Sequence, residues 1–170
     1  MKIEVALSND VPELVQLINS AYRGESSKKG WTTEADLLDG IRTNEKNLKE
    51  LLNEEASVIL KCNNEEGKII GSVYLKKHKE KLYLGMLTVN PELQGFGIGK
   101  KLLQAAEEYA KNNNCIAIFM TVISVRDELI AWYERYGYKN TGKKKPFPEG
   151  AEFGIPKQPL EMVFLEKELS

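Results

Sequence analysis

The segment Leu87-Thr88-Val89-Asn90-Pro91-Glu92-Leu93-Gln94-Gly95-Phe96-Gly97-Ile98-Gly99-Lys100-Lys101 constrains this chain more than any other feature. A β-rich run stops at a proline, three glycines alternate, and apolar residues then recur at helical spacing through Ile98, Leu102, Ala105, Ala106 and Tyr109. The order is strand, tight loop, helix. There, unpaired main-chain N–H groups and the helix dipole converge on one point, which suits an anion. Glycine accepts positive φ and has no Cβ to hold a phosphate away. Two lysines add charge beside the turn.

Two common nucleotide loops fail on particular residues. Counted from Gly95, the dinucleotide pattern G-x-G-x-x-G needs glycine where Lys100 stands. A Walker A loop needs glycine at Gln94 and Ser or Thr at Lys101. A nucleotide- or phosphate-binding structural domain is therefore the weakest reading of the loop.

The flanking pattern sets the fold class. Ile3, Val5 and Leu7 alternate as a strand, and Asp10-Val11-Pro12-Glu13 reads as a capping box opening a helix through Leu14, Ile18 and Ala21. A polar stretch, 23–30, ends that helix. Thr33-x-x-Asp36 reads as a second capping box, with a helix through Leu37, Leu38 and Ile41, and Leu48, Leu51 and Leu52 suggest a further short helix. Period-two runs at 57–62, 69–75 and 82–89 predict an antiparallel meander. The apolar run 115–122 follows the 98–112 helix, so 82–89 and 115–122 should lie parallel. A last helix begins near Asp127 and stops at Gly137, and a closing strand carries Leu160, Met162 and Phe164. The predicted class is α/β (α+β): an antiparallel meander, then a parallel βαβ-like unit, with helices on both faces of one mixed sheet. The 170 residues show no repeat or linker, so one domain over 1–170 is expected.

Composition narrows the partners. Lys plus Arg (24) and Asp plus Glu (25) nearly cancel, so no global field draws the chain to nucleic acid or an anionic membrane. No apolar run approaches the ~20 residues of a membrane span. Met1 leads straight into strand-like sequence without the apolar core of a signal peptide, and a cytoplasmic location is expected. Cys62 and Cys115 lack metal or redox spacing and read as free thiols, and no metal is expected. His78, the single histidine, and Lys143-Lys144-Lys145 read as solvated turn and loop residues. Oligomeric state is not legible, which leaves a homodimer open.

Gln94-x-x-Gly97-x-Gly99 resembles the Gln/Arg-x-x-Gly-x-Gly/Ala loop of the GCN5-related N-acetyltransferase (GNAT) superfamily. Downstream, Ala131-Trp132-Tyr133-Glu134-Arg135-Tyr136-Gly137-Tyr138 is similar to that superfamily's Ala-x-x-Tyr-Glu-x-x-Gly-aromatic segment. The two motifs stand in the expected order. One position departs: seven residues before Tyr133, where asparagine is frequent, this chain has Arg126. No glutamate lies within 82–89 to serve as a general base there.

The resemblance implies acetyl transfer from acetyl-coenzyme A to a primary amine of a small molecule or peptide, by direct attack in a ternary complex. It implies a cofactor site made by Leu87, Thr88, Val89, Gln94, Gly95, Phe96, Gly97, Ile98, Gly99 and Lys100, within an acyl-coenzyme A-binding core of about 82–138. Main-chain N–H near Leu87 or Thr88 would face the thioester oxygen, the logic of an oxyanion hole. Tyr133 is the candidate general acid, with Tyr136 as fallback one turn away. The segment of about 22–53 would line the acceptor, with Tyr22 and Trp31 as apolar walls and Glu34 and Asp36 attracting a cationic amine. A non-catalytic module that senses acyl-coenzyme A would share the same loop.

Overall fold

The computed structural model describes residues 1–23, 27–28, 30–148 and 154–170. In chain order these form β1 (Lys2–Val5), α1 (Val11–Tyr22), β2 (Leu38–Asp39), α2 (Glu45–Leu52), β3 (Ser57–Asn63), β4 (Ile69–His78), β5 (Lys81–Val89), α3 (Ile98–Asn112), β6 (Ala117–Ile123), α4 (Asp127–Arg135), β7 (Lys139–Pro146), β8 (Ile155–Pro156) and β9 (Glu161–Glu168). Seven strands make one mixed sheet in the order β1-β3-β4-β5-β6-β9-β7, and β2 pairs with β8 apart from it.

The meander β3-β4-β5 is antiparallel, as its alternating residues predict. β4 is buried at every position from Ile69 to Leu75, because helices cover both of its faces. On one face α1 and α2 bring Val11, Leu14, Ile18 and Leu48 against Ile59, Ile69 and Tyr74. On the other, α3 brings Ile98, Leu102, Leu103 and Ala106 against Leu60, Ile70, Val73 and Leu75, with Tyr133 of α4 in the same cluster. Close approach of α3 depends on Gly71, where an added Cβ would stand 2.8 Å from Ile98 Cγ2 and 3.1 Å from Leu102 Cδ1.

A β-bulge in β5 reshapes the sheet where the cleft opens. Ser72 pairs with Thr88 and Tyr74 with Gly85, so Val73 alone opposes Met86 and Leu87. Met86 takes φ +50, a left-handed conformation rare for a non-glycine residue. The extra residue inverts the facing of the strand. Leu82 and Leu84 meet the α3 cluster before the bulge, and Leu87 and Val89 meet it afterwards, while Met86 joins the α1 cluster.

Three sequence expectations are corrected. Asp10 does not begin a capping box. A 3-10 turn, Ser8–Asp10, comes first, and the Asp10 carboxylate accepts from Leu7 N–H and pairs with Lys61 at 2.9 Å. Glu13, its supposed reciprocal partner, accepts from Ile69 N–H instead. The Thr33 box opens no helix, because Thr33 Oγ1 accepts from Ala35 N–H in a tight turn that feeds β2. Lys143, Lys144 and Lys145 are not in a loop but in β7, which pairs with β9 as an edge strand. The polar stretch expected over 23–30 lies partly outside the described residues.

Candidate active site

The glycine loop sits where the sequence places it. Asn90 Oδ1 accepts from Glu92 N–H to turn the chain, and Gly95 (φ +92) and Gly97 (φ +80) take left-handed conformations. Gly97 is the N-cap of α3. The first main-chain bond of the helix runs from Lys101 N–H to Gly97 O, so the N–H groups of Ile98, Gly99 and Lys100 have no partner within the helix. A Cβ built on Gly95 or Gly97 would meet nothing within 4 Å, so the space above the turn is open for a ligand. Such a turn can receive an anion. Ile98 turns its side chain into the core, and Phe96 is 69 % exposed and does not line the cleft.

The loop opens onto a split in the sheet. β5 and β6 run parallel but pair only at Lys81↔Ala117, Leu82↔Ile118 and Tyr83↔Phe119. Beyond Tyr83 the two strands separate, with β5 held by β4 and β6 by β9. A cleft of about 330 Å³ opens beside the end of β5, lined by Leu87, Thr88 and Val89 of that strand, by Gln94, Gly95 and Gly97 on the loop, by Gly99 at the start of α3, and by Trp132, Tyr133 and Tyr136 in and just after α4. Thr88 buries its hydroxyl against Met86 O, so it offers the cleft its main chain alone. Gly99 lets the Trp132 ring lie across the helix start, where a Cβ would stand 3.1 Å from it.

A smaller cavity of about 90 Å³ lies between the separating strands, lined by Leu84 to Leu87 of β5 and Met120 to Ile123 of β6. Tyr22, Leu87, Leu129, Arg126 and Tyr133 line both. The Tyr133 hydroxyl has no hydrogen-bond partner among the described residues. Burial pushes the Tyr133 phenol well above its ordinary pKa of 10.0, with neighbouring Tyr22 and Tyr138 adding to the shift, so it stays protonated at neutral pH. Tyr22 is fixed by contrast, its hydroxyl donating to Leu87 O at 2.8 Å, and burial pushes its pKa up to about 12. Tyr136, the fallback, lies against Trp132 with ring centroids 4.8 Å apart and planes tilted by 60°, and it lines the larger cleft only.

The residues expected to line the acceptor fare unequally. Trp31 lines the larger cleft, 6.3 Å from Trp132, and its N–H donates to Gln94 Oε1 at 2.7 Å. Glu34 lines the smaller cavity but is not free to attract a cationic amine. Its Oε1 accepts from Arg23 Nε at 2.8 Å and its Oε2 from Arg126 Nη1 at 3.1 Å, all three side chains being at most 10 % exposed. Asp36 is 79 % exposed at its side chain, pairs with Lys28 at 3.6 Å and lines neither cavity. Both departures correct the expected electrostatics. Arg42, over the Tyr22 ring at 5.3 Å, lines the smaller cavity and carries no individual signal in the sequence. Arg126, noted only as a departure from asparagine, is the group that joins the two segments: it bonds Glu34 and Thr32.

His78 ends β4 against the rings of Phe119 and Tyr83, and it and Lys143 to Lys145 line neither cavity. Cys62 and Cys115 are both buried, which raises their thiol pKa values. Among the described residues no cluster of His, Cys, Asp or Glu is arranged to hold a metal, and no helix is long and apolar enough to cross a membrane.

A mixed sheet that splits beside a glycine-capped helix, with a cavity at the split, is the class of fold these elements define. The acetyltransferase (GNAT) family model matches residues 12–138, and the chain belongs to that family. It is 29 % identical over 87 residues to the acetyltransferase Atu2258 of Agrobacterium fabrum, a match covering 51 % of this chain and 62 % of that relative's length. The fold matches the ribosomal-protein-S18-alanine N-acetyltransferase of Escherichia coli with a TM-score of 0.73 at 14 % identity, over 99 % of this chain and 94 % of the other. It also matches the ribosomal-protein-alanine N-acetyltransferase of Brucella melitensis, with a TM-score of 0.72 at 20 % identity over 99 % and 100 % of the two chains. At these identities the solved structures bear on the fold alone.

Proposed function

We propose that the chain transfers an acetyl group from acetyl-coenzyme A to a primary amine by direct attack in a ternary complex. The observation that carries the reading is the placement of Tyr133 between two cavities, one leading to the glycine loop and one leading away from it. A donor filling the first and an acceptor filling the second would meet beside this phenol.

The residues divide the work by position, with 82–138 taking the donor, 22–53 lining the acceptor, and the whole of 1–170 acting as one catalytic domain. N–H groups of Ile98, Gly99 and Lys100 hold the pyrophosphate, and the main chain of Leu87 to Val89 pairs with the pantetheine arm as a short added strand. A main-chain N–H near Leu87 or Thr88 steadies the negative charge that develops on the carbonyl oxygen. The free-base amine nitrogen bonds to the carbonyl carbon, the carbon–sulfur bond breaks, and Tyr133 gives its proton to the departing sulfur; the nitrogen loses one proton to solvent, and solvent returns one to Tyr133. Glu34, the one carboxylate among the described residues lining either cavity, is held by two guanidiniums and is not a base. Amine deprotonation is therefore left to water.

The test is thiol release from acetyl-coenzyme A with the full chain over amino acids, polyamines, aminoglycosides and peptides. Amine-dependent release with an acetylated product supports the reading. Tight coenzyme A binding with slow, amine-independent hydrolysis assigns the chain instead to acyl-coenzyme A sensing.

A further inference from the structure

Resting on the acetyl-transfer reading, we propose that the acceptor is a small amine that also carries a carboxylate, such as a free amino acid, and that Arg126 and Arg42 receive that carboxylate. The smaller cavity, on the side of Tyr133 away from the glycine loop, is lined by two guanidiniums, Arg42 and Arg126, and by one carboxylate, Glu34. Glu34 cannot neutralise both. Each of its oxygens already accepts from a different arginine, Arg23 on one side and Arg126 on the other, so Arg126 has only a shared carboxylate to offset its charge.

The donor inventory of Arg126 points the same way. Its Nη1 donates to Glu34 and its Nη2 to Thr32 Oγ1 at 2.8 Å, while Nε is buried with no partner at all. A guanidinium has five N–H donors in a rigid fork, and leaving one unmade in the interior is costly unless something else compensates the group. Arg42 is the second unmatched charge. It lies over the Tyr22 ring and has no ion pair among the described residues. A planar carboxylate is the partner that a pair of guanidiniums facing one small cavity recognises best. An acceptor with several ammonium groups would instead bring positive charge against positive charge.

The experiment is thiol release by the full chain with saturating acetyl-coenzyme A and matched acceptors: an α-amino acid, its carboxamide, and the amine lacking the carboxyl group. Rates are compared at equal concentration of free base, which removes differences in amine pKa. The expected result is a kcat/KM at least tenfold higher for the amino acid, about 1.4 kcal/mol, carried by the acceptor's KM. Arg42→Gln should cut that preference about tenfold and Arg42→Lys should restore most of it. Equal use of the three acceptors, or a preference that Arg42→Gln and Arg126→Lys both leave intact, overturns the inference while acetyl transfer stands. No release with any acceptor overturns both.

Discussion

The main-chain N–H of Trp31 donates to Oε1 of Gln94 at 2.7 Å, joining the segment after α1 to the glycine loop across 63 positions of sequence. Gly30 makes room for it, since a Cβ there would stand 2.7 Å from Gln94 Oε1. The bond is the tie by which residue 31 can restrain the loop. Gln94→Ala should raise the KM for acetyl-coenzyme A about fivefold, on the scale of one neutral hydrogen bond of about 1 kcal/mol, and speed hydrogen exchange at Trp31. Unchanged exchange at that amide would show that the tie does not restrain the segment.

Tyr133 and Tyr22 make a contrasting pair. The Tyr133 hydroxyl has no hydrogen-bond partner among the described residues, whereas that of Tyr22 is bonded to Leu87 O. Tyr133→Phe should lower kcat about 100-fold, the low end for a lost general acid, with folding free energy within about 0.5 kcal/mol of the parent. Tyr22→Phe should do the reverse in part, costing about 1–2 kcal/mol of stability by stranding a carbonyl. Urea unfolding alongside steady-state kinetics separates the two roles. A Tyr133→Phe enzyme with full kcat removes the phenol from the mechanism.

The pH profile follows from the same burial. An acid must hold its proton, and Tyr133 lies well above 10.0, so no falling limb from this group is expected up to pH 10. With no free carboxylate lining either cavity among the described residues, the rate should climb with the free-base fraction of the acceptor, whose pKa is about 10.4 for a lysine-like amine. Stability behaves oppositely. Tyr22 at about 12 and Tyr133 above 10.0 both hold protons more tightly folded than unfolded, so their contribution is complete below pH ~10 and is lost as pH rises through the folded values. A kcat limb falling below pH 10 and abolished by Tyr133→Phe would contradict this assignment. Phenolate absorbance recorded with unfolding above pH 10 checks the second half.

β5 and the helices α1 and α3 are readable because each has one buried face, and burial imposes a period on sequence, whereas β4, buried on both faces, is read from its β-rich apolar residues and the loop from its glycines. β7 has no such face. All of its residues from Lys139 to Pro146 are exposed, so its pairing with β9 leaves no alternation to read. Met86 is illegible for another reason: a bulge at φ +50 ordinarily announces itself by glycine, and here methionine takes it. The charges expected to attract the acceptor mislead because their meaning is not local. Glu34 looks like bait for a cation until Arg23, 11 positions away, and Arg126, 92 positions away, fold onto it.

Close packing of α3 offers a direct test of how the cleft is held open. Gly71 leaves no slack, since a Cβ would meet both Ile98 and Leu102, and the main-chain oxygen of Thr88 lies 3.0 Å away. Gly71→Ala should cost about 1–3 kcal/mol by overpacking and should push the start of α3 away from β5, raising the KM for acetyl-coenzyme A. Thermal unfolding with and without coenzyme A measures both, and an alanine variant as stable as the parent would mean that the helix can shift without loss.

The buried arginine–glutamate–arginine group makes the sharpest stability claim. Glu34→Gln keeps the shape of the side chain and removes its charge, leaving Arg23 and Arg126 facing each other where their shared carboxylate stood. Breaking a buried pair from one side is expected to cost about 3 kcal/mol, far more than the same change in an exposed pair. Glu161→Gln supplies that comparison, because Glu161 meets Lys144 at 3.4 Å with both side chains about half exposed, and its loss should fall below about 0.5 kcal/mol. Urea unfolding of the two variants reads the difference. Equal, small losses would mean that the guanidiniums find other partners or water when Glu34 is neutral, and the charge argument for the acceptor cavity would then lose its premise.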